Sequence, residues 1–185
     1  MPTDVRTEIL AAATRIFAAQ GVGGTSIQEV ADAVGVRKPS LLYHFASKDL
    51  LHTALLEDVL ARWNETLPAL LRAATKDDRF DAILDETVGF FAAEPDRARL
   101  LLREALDRPT QMRELLGRYV APWLEAMKSS SEKGQARGTI RKGVDPEAYV
   151  VMVIHLILGT VATATSMASL AVKGGARSGR VPERL

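Results

Sequence analysis

Side chains that can bind an anion gather in one short stretch of the chain, residues 35–51. They are Arg37, Lys38, Tyr43, His44 and Lys48. From residue 33 to residue 48 the sequence contains Lys and Arg but no Asp or Glu. The net charge of the whole chain is only +1, so this cationic stretch is a local feature. Such a concentration of positive charge is typical of a surface that meets phosphate groups.

The spacing of apolar residues places this stretch on the second of two short helices. Thr25 or Ser26 can cap the first helix, and Pro39 lies near the start of the second. A three-residue break centred on Gly35 separates them, which predicts a helix-turn-helix. Its inward-facing residues are Ile27, Val30, Ala31, Val36, Leu41 and Phe45. In such motifs the first residues of the second helix contact base edges in the major groove of DNA.

The remaining periodicity is helical, and it predicts an all-α protein of about eight helices. A first helix ends at Gly21, and "GVGGT" reads as a loop. Ser47 caps a long fourth helix, Pro122 should kink the helix that starts near Thr110, and Asp145 caps the last one. We expect a helix-turn-helix DNA-binding domain over residues 1–47, a larger helical ligand-binding and dimerisation domain over residues 48–172, and a flexible basic tail over residues 173–185.

The composition excludes several kinds of active site. The chain has no cysteine, which excludes disulfides, thiolate catalysis and cysteine-ligated metals. With only 3 histidines and no cysteine in the chain, we expect no metal site and no cofactor. The first residues carry acids and lack an unbroken apolar run, unlike a signal peptide. These features favour a cytoplasmic protein.

One segment, residues 149–172, contains no charged residue and is long enough to span a bilayer. Its second half is rich in Ala, Thr, Ser and Gly, and the sequence has no other such segment. The alternative is a helix covered on all sides by protein. Small residues that permit close helix packing recur at Gly159, Ala162, Thr163, Ser166 and Ser169. A second copy of the chain can provide that cover.

The stretch "TSIQEVADAVGVRKPSLLYHFASKDLL" resembles the helix-turn-helix of tetracycline-repressor-type (TetR family) transcriptional regulators. The residues that carry the resemblance are Thr25, Ser26, Ile27, Val30, Ala31, Gly35, Val36, Leu41, His44, Phe45, Ser47, Lys48 and Leu51. It covers roughly the first 55 positions; beyond them the chain agrees only in length and helical order. The resemblance implies a homodimer that binds a near-palindromic operator in double-stranded DNA and releases it when a small-molecule inducer enters the larger domain.

The resemblance also implies roles for individual residues. Arg37, Lys38 and Pro39 approach bases, whereas the phosphate contacts fall to Thr25, Ser40, Tyr43, His44 and Lys48. Leu42 departs from the family, which often has a tyrosine there, and the hydroxyl of Tyr43 can take part of that role. The alternatives are that Tyr43 packs against the first helix and that His44 is a half-buried histidine.

Candidate ligand contacts lie in the larger domain, on apolar stripes at helical spacing. They are Phe90, Phe91, Arg103, Tyr119, Trp123, Met127, Met152 and His155. The alternative for the apolar members is ordinary core packing. For His155, the only ionisable residue in a charge-free helix, we expect a buried neutral side chain bonded to a neighbour rather than a ligand contact. The chain departs from the family again after Lys173, where the family usually begins a final helix. We therefore expect a homodimer, but the sequence does not predict how its two chains pack. The helix from Thr110 can take the place of the missing final helix in the interface.

The favoured function is a DNA-binding regulator, most simply a repressor that a small, largely apolar ligand releases from its operator. The fourth helix, which starts at Lys48, would transmit the signal. Two other classes compete with this interpretation. One is a helical enzyme that uses His44, His52 or His155 with Glu57 or Glu104, although no nucleophile, metal or phosphate motif accompanies them. The other is an activator or architectural DNA-binding protein that takes no ligand.

Overall fold

The computed structural model describes residues 4–73, 79–138, 141, 143 and 145–175, and within them it contains nine helices and no strand. The predicted all-α class is confirmed. The helices are α1 (Val5–Gly24), α2 (Ile27–Val34), α3 (Lys38–His44), α4 (Lys48–Ala73), α5 (Arg79–Ala93), α6 (Pro95–Asp107), α7 (Pro109–Tyr119), α8 (Ala121–Ala136) and α9 (Pro146–Gly175). Most of the predicted tail, residues 176–185, lies outside the described residues.

Polar side chains begin the helices where their spacing predicts. The Ser26 hydroxyl accepts a hydrogen bond from the Glu29 N–H at 3.1 Å, so Ser26 rather than Thr25 caps α2. Ser47 accepts from the Leu50 N–H at 3.1 Å in the same way at the start of α4. The Asp145 carboxylate accepts from the Ala148 N–H at 3.2 Å at the start of α9. Each cap satisfies a backbone donor that the helix itself leaves without a partner.

One glycine at positive φ ends α2, and another interrupts α1. Gly35 adopts the left-handed conformation with φ 75°, and its N–H closes the end of α2. Gly21 has φ 74° and ψ 171°, which interrupts α1 at the predicted position. The segment after Gly21 corrects the sequence interpretation, since residues 22–24 form a further helical turn rather than a loop.

The long helix predicted from Thr110 is divided into α7 and α8. Val120 separates the two helices, with φ −108° and ψ −35°. Pro122 lies in the first turn of α8, where its missing N–H costs least. The helix predicted from Thr110 is therefore interrupted at Val120, two residues before Pro122.

The core is continuous from the N-terminal helices into the larger domain. Phe17 of α1, Leu41 of α3 and Leu55 of α4 are all fully buried. Leu100 of α6 and Ile157 of α9 belong to the same cluster of buried apolar side chains. The first half of α4 thus packs in one core with α1 and α6. A boundary at residue 47 remains a prediction about folding units.

Helix α9 is only partly covered within one chain. Ile157 and Leu158 are buried, but the opposite side is exposed. The exposed residues recur every three or four positions and are Tyr149, Met152, Leu156, Thr160, Thr163 and Met167. We call this set the α9 stripe. Among the described residues, no helix is both long and apolar enough to cross a bilayer.

Candidate nucleic-acid interface

Helix α3 is anchored by two apolar side chains and presents polar residues on its other side. Leu41 is fully buried and Phe45, its C-cap residue, is 4% exposed. Val30 and Ala31 of α2 are buried against them, while Ile27 and Val36 pack partly buried on the same core. The inward-facing residues expected from the sequence are therefore confirmed. They fix the orientation of α3 relative to α1 and α2.

The outward side of α3 and its N-cap is defined as the recognition face. Its exposed members are Arg37, Lys38, Pro39, Ser40 and Tyr43. Tyr43 is 88% exposed, which excludes the alternative that it packs against α1. Its ring meets the His44 ring edge-on at 5.5 Å between centroids, and His44 is half-buried. The recognition face carries two cations at the start of α3, the end that enters the major groove in this motif.

Thr25 and Lys48 are engaged with the backbone at the end of α1. The Thr25 hydroxyl is buried and donates a hydrogen bond to the Gly21 carbonyl at 2.8 Å. The Lys48 ammonium donates to the carbonyls of Val22 at 2.8 Å and Thr25 at 3.0 Å. An ammonium has three N–H donors, so Lys48 retains one for another acceptor. Both residues position the loop between α1 and α2.

Arg6 was not identified by sequence reasoning. Its guanidinium lies over the Phe45 ring at 5.1 Å from the centroid, which brings a cation from the first turns of α1 to the end of α3. Because the two residues are far apart in sequence, no local pattern links them.

Leu42, which replaces the tyrosine frequent in the family, is half-buried.

The aromatic ligand candidates form a cluster between α4 and α5. Phe90 and Phe91 contact each other edge-on, with centroids 5.0 Å apart, and each lies near the Trp63 ring, at 5.3 Å and 5.5 Å. Phe91 is buried, whereas Phe90 is half-buried beneath the Arg97 guanidinium, 4.7 Å from its centroid. Trp63 therefore joins the two phenylalanines expected from the sequence.

The other ligand candidates are dispersed. Tyr119 is half-buried at the end of α7, and the side chains of Trp123 and Met127 lie outside the described part of the structure. Met152 belongs to the α9 stripe. His155 is exposed beside it, so it is not the buried histidine expected from its charge-free helix; its Nδ1 lies 2.8 Å from the Val151 carbonyl oxygen. The structure does not gather into one pocket the six candidates whose side chains it describes.

A row of polar contacts joins α4 to α6 and α7. Asp49 pairs with Arg108 at 3.5 Å, and the Gln111 amide donates to the Thr53 hydroxyl at 3.1 Å. One turn further along α4, Glu57 accepts from Arg118 at 2.7 Å. None of these partners is adjacent in sequence. The row links the helix that follows the recognition face to the larger domain.

The fourth contact in this row is buried. His52 Nε2 lies 3.3 Å from Glu104 Oε2, and the two side chains are 1% and 3% exposed. Burial, followed by the Arg108 charge, lowers the pKa of His52 to about 4, although Asp49 opposes this. Burial likewise raises the pKa of Glu104. His52 therefore meets Glu104 rather than Glu57, and neither residue lines either of the two clefts described on the surface.

Family models match the two parts of the chain. Residues 9–55 match the model of bacterial regulatory proteins of the tetR family, and residues 77–175 match a tetracyclin repressor-like C-terminal domain. The second match extends well beyond the helix-turn-helix on which the sequence resemblance depended. Homodimers are typical of the family, and its members are DNA-binding transcription regulators.

Individual relatives agree with both matches. The chain is 30% identical over 146 residues to the HTH-type transcriptional regulator RutR of Escherichia coli strain K12, covering 78% of this chain and 68% of RutR. It is 28% identical over 151 residues to the HTH-type transcriptional repressor KstR2 of Rhodococcus jostii, covering 77% and 71%. The solved structure of AibR with isovaleryl coenzyme A and operator DNA has a TM-score of 0.70 and 19% identity, covering 85% and 86%. This chain belongs to the tetR family of bacterial regulatory proteins.

Proposed function

We propose that this protein is a homodimeric repressor that binds an operator through α3 and is released by a small, largely apolar ligand. The observation that carries the proposal is the recognition face, where exposed Arg37 and Lys38 lie at the start of a helix anchored by Leu41 and Phe45. KstR2 is named a repressor, and AibR was solved with operator DNA and an acyl thioester of coenzyme A. These relatives support repression and a ligand for this chain.

In this proposal Arg37, Lys38 and Pro39 meet base edges, and Ser40, Tyr43 and His44 hold phosphates. Arginine and lysine at such positions discriminate between bases by donating hydrogen bonds to guanine. Phosphate contacts fix the register of the protein on the duplex without reading its sequence.

The remaining two phosphate contacts depend on the loop between α1 and α2. The Thr25 hydroxyl donates within the protein, so Thr25 would contact a phosphate through its backbone N–H. Lys48 would use its third N–H donor, because two already bind carbonyls. Both contacts bring phosphates close to helix starts, where the dipole favours an anion.

The α9 stripe supplies the dimer interface in this proposal. Leu156 is 68% exposed and Met152 61% exposed in the single chain, on one line along the helix. A stripe that exposes four large apolar side chains on one side of a helix is typical of a surface that another protein covers. Two recognition helices held by one dimer add their contributions on two half-sites, spaced roughly 34 Å apart for one turn of DNA. Met152 and His155 then belong to the interface rather than to the ligand site.

The ligand site is assigned to the neighbourhood of Phe90 and Phe91, with Tyr119, Trp123 and Met127 as further candidates. The edge-on contacts of Phe90 with Trp63 and Phe91 show that aromatic rings already surround this position. A ligand that separates α4 from α5 there would tilt α4 and change the spacing of the recognition helices. A coupling free energy of about 1–3 kcal/mol is sufficient for such a switch.

The proposal also assigns a non-enzymatic role and a cytoplasmic location, where operator DNA is found. The one close histidine–carboxylate pair among the described side chains, His52 with Glu104, is buried at 1% and 3% exposure. A substrate cannot reach a pair that is covered on all sides, and this supports a structural role for it.

Selection from random duplexes with purified full-length protein tests the proposal. We expect a near-palindromic site whose binding weakens steeply with salt, since released counterions dominate affinity for DNA. Arg113, an exposed arginine of α7, provides the matched control. Arg37→Ala should weaken operator binding, whereas Arg113→Ala should not. No enrichment of any duplex at low salt would refute the proposal.

A further inference from the structure

An open cleft of about 310 Å³ lies where α1, α6 and α9 meet. It is lined by Ala18, Arg99, Leu102, Arg103, Leu106, Asp107 and Ala162. We call it the Arg103 cleft. Its wall combines two guanidinium groups with small and branched apolar side chains, and Leu106 at its edge is 82% exposed. Such a lining suits a molecule with one anionic end and an apolar body.

The two arginines of the cleft differ in how firmly they are held. The Arg99 guanidinium pairs with Asp96 at 2.9 Å and also donates to the Ala162 carbonyl and the Thr165 hydroxyl, each at 3.2 Å. Arg103 donates to the Ala19 carbonyl at 3.3 Å. Among the described side chains, no carboxylate lies within 4.0 Å of the Arg103 guanidinium. Arg103 is therefore the cation that an incoming anion can capture.

The Ala19 carbonyl, which accepts the hydrogen bond from Arg103, lies close to the interruption of α1. It belongs to the last turn of α1 before the interruption at Gly21, where the helix dipole presents partial negative charge. The Arg103 side chain lies close against Gly21, since a Cβ built there would be 3.1 Å from Nη1. Further along the chain, Lys48 donates to the carbonyls of Val22 and Thr25. Two cations, one from α6 and one from α4, thus fix the segment that leads into α2.

We propose that the Arg103 cleft binds a small organic carboxylate with an apolar body, and that this ligand draws Arg103 away from the Ala19 carbonyl. A bidentate pair gives the guanidinium two parallel hydrogen bonds to an opposite charge, whereas the Ala19 carbonyl accepts a single bond from it at 3.3 Å, and this difference supplies the driving force. Losing Arg103 loosens α6 from the end of α1. If the proposed repressor function holds, this loosening gives the carboxylate a second route to weaken operator binding, separate from the ligand site near Phe90 and Phe91.

The volume and lining of the cleft define the ligand further. A volume of about 310 Å³ is at the lower end for small-molecule sites, which are about 300–1,000 Å³. Ala18, Leu102 and Ala162 offer apolar surface to the body of the ligand, and Asp107 disfavours a second anionic group. A monocarboxylate should bind better than inorganic phosphate, which has no apolar part.

Calorimetric titration of the full-length protein tests the site with octanoate, and with octanol and inorganic phosphate as comparisons. We expect saturable binding of octanoate, at least 10-fold weaker binding of octanol and phosphate, and at least 10-fold weaker octanoate binding by Arg103→Gln. Arg103→Lys keeps the charge but not the bidentate geometry and should give an intermediate affinity. Arg113→Gln, the control on α7, should match the unaltered protein. Absence of saturable octanoate binding, or equal affinity in Arg103→Gln, would overturn the site.

Amide hydrogen exchange tests the effect on α1 without any need for DNA. Saturating octanoate should accelerate exchange of the amides of residues 22–28 several-fold, and Arg103→Gln should show this acceleration without ligand. Octanoate that binds and leaves these amides unchanged would overturn the proposed release of α1. A protein that binds octanoate through Arg103 yet selects no duplex would refute the repressor function while the anion site stands.

Discussion

Helices α3 and α9 both expose one side in the single chain, but the two surfaces differ in chemistry. The recognition face of α3 carries Arg37, Lys38 and Tyr43, whose polar atoms are readily hydrated. The α9 stripe is dominated by Leu156, Met152 and other side chains that gain by leaving water. Exposure of α3 has little free-energy cost without a partner, whereas exposure of α9 is unfavourable at all times.

This difference predicts two kinds of association. A cationic face bound to a polyanion should dissociate as salt is raised, because the released counterions are what drive binding. An apolar stripe covered by a second copy should be nearly indifferent to salt and should depend on the area removed from water. The strongest test of the comparison therefore alters one surface at a time and measures both DNA binding and dimer formation.

The largest effect is expected from Leu156→Glu on the α9 stripe. Two-fold symmetry would bring both new carboxylates into the interface, at a cost of about 4 kcal/mol, or roughly 1,000-fold in the dimer dissociation constant. Sedimentation equilibrium measures the change. Leu106→Glu is the matched control, since Leu106 is 82% exposed but lies on α6. An unaltered dimer constant in Leu156→Glu would place the interface elsewhere.

A smaller effect is expected from acid, which acts on the buried pair of His52 and Glu104 between α4 and α6. The pKa of His52, lowered to about 4 from 6.5, means that the folded state excludes a proton that the unfolded chain accepts. Its contribution to stability is present above pH 6.5 and is lost as pH falls towards 4, with about 2 kcal/mol lost by pH 5. Urea unfolding at pH 7 and pH 5 measures the loss.

Variants separate His52 from the other titrating groups. The raised pKa of Glu104 acts in the opposite sense, since its contribution is present below the unfolded pKa of 4.5 and is lost as pH rises through the folded value. Glu104→Gln should therefore steepen the loss of stability in acid. His44→Gln, on α3, should leave the loss unchanged. If His52→Gln still loses the same stability between pH 7 and pH 5, other titrating groups cause that loss.

Arg37→Ala tests the recognition face and should cost about 1–3 kcal/mol of operator binding, with relaxed preference at the base it contacts. The dimer dissociation constant should stay unchanged, which distinguishes this variant from Leu156→Glu. Fluorescence anisotropy with the selected operator and single-base variants measures both the loss of operator binding and the change in base preference. An equal loss of affinity for all single-base variants would show that Arg37 contacts a phosphate rather than a base.

The smallest effect is expected from Tyr43→Phe, which removes one hydroxyl. Tyr43 is 88% exposed, so the free energy of unfolding should not change. Loss of one phosphate hydrogen bond should weaken operator binding by about 0.5–1.5 kcal/mol, equally for all sequences. If Tyr43→Phe binds the operator as tightly as the unaltered protein, the Tyr43 hydroxyl does not replace the hydroxyl that Leu42 lacks.

Local rules predicted much of the fold and of the candidate interface. Ser26, Ser47 and Asp145 cap their helices because a side-chain oxygen next to a helix start satisfies a free N–H whatever the distant packing. The burial of Leu41 and Phe45 follows from the periodicity of α3 in the same way. The recognition face could be predicted because it occupies the remaining side of one short helix.

Contacts between helices distant in sequence were less accessible to local reasoning. His52 was considered with either Glu57 of α4 or Glu104, and the sequence could not decide that it meets Glu104 of α6. Arg103 was considered as a ligand contact, and its position against the end of α1 was not foreseen. His155 was expected to be buried because its helix lacks charge, but α9 has one side without cover in the chain.

The sequence by itself determined where α2, α4 and α9 begin, which side of α3 is apolar and where positive charge is concentrated. These properties depend on interactions within a few residues, and periodicity records them directly. Only the tertiary structure decided that His52 meets Glu104, that Arg103 holds the end of α1 and that the α9 stripe is left bare. Such pairings depend on how whole helices cross, and the crossing reflects the packing of many side chains at once.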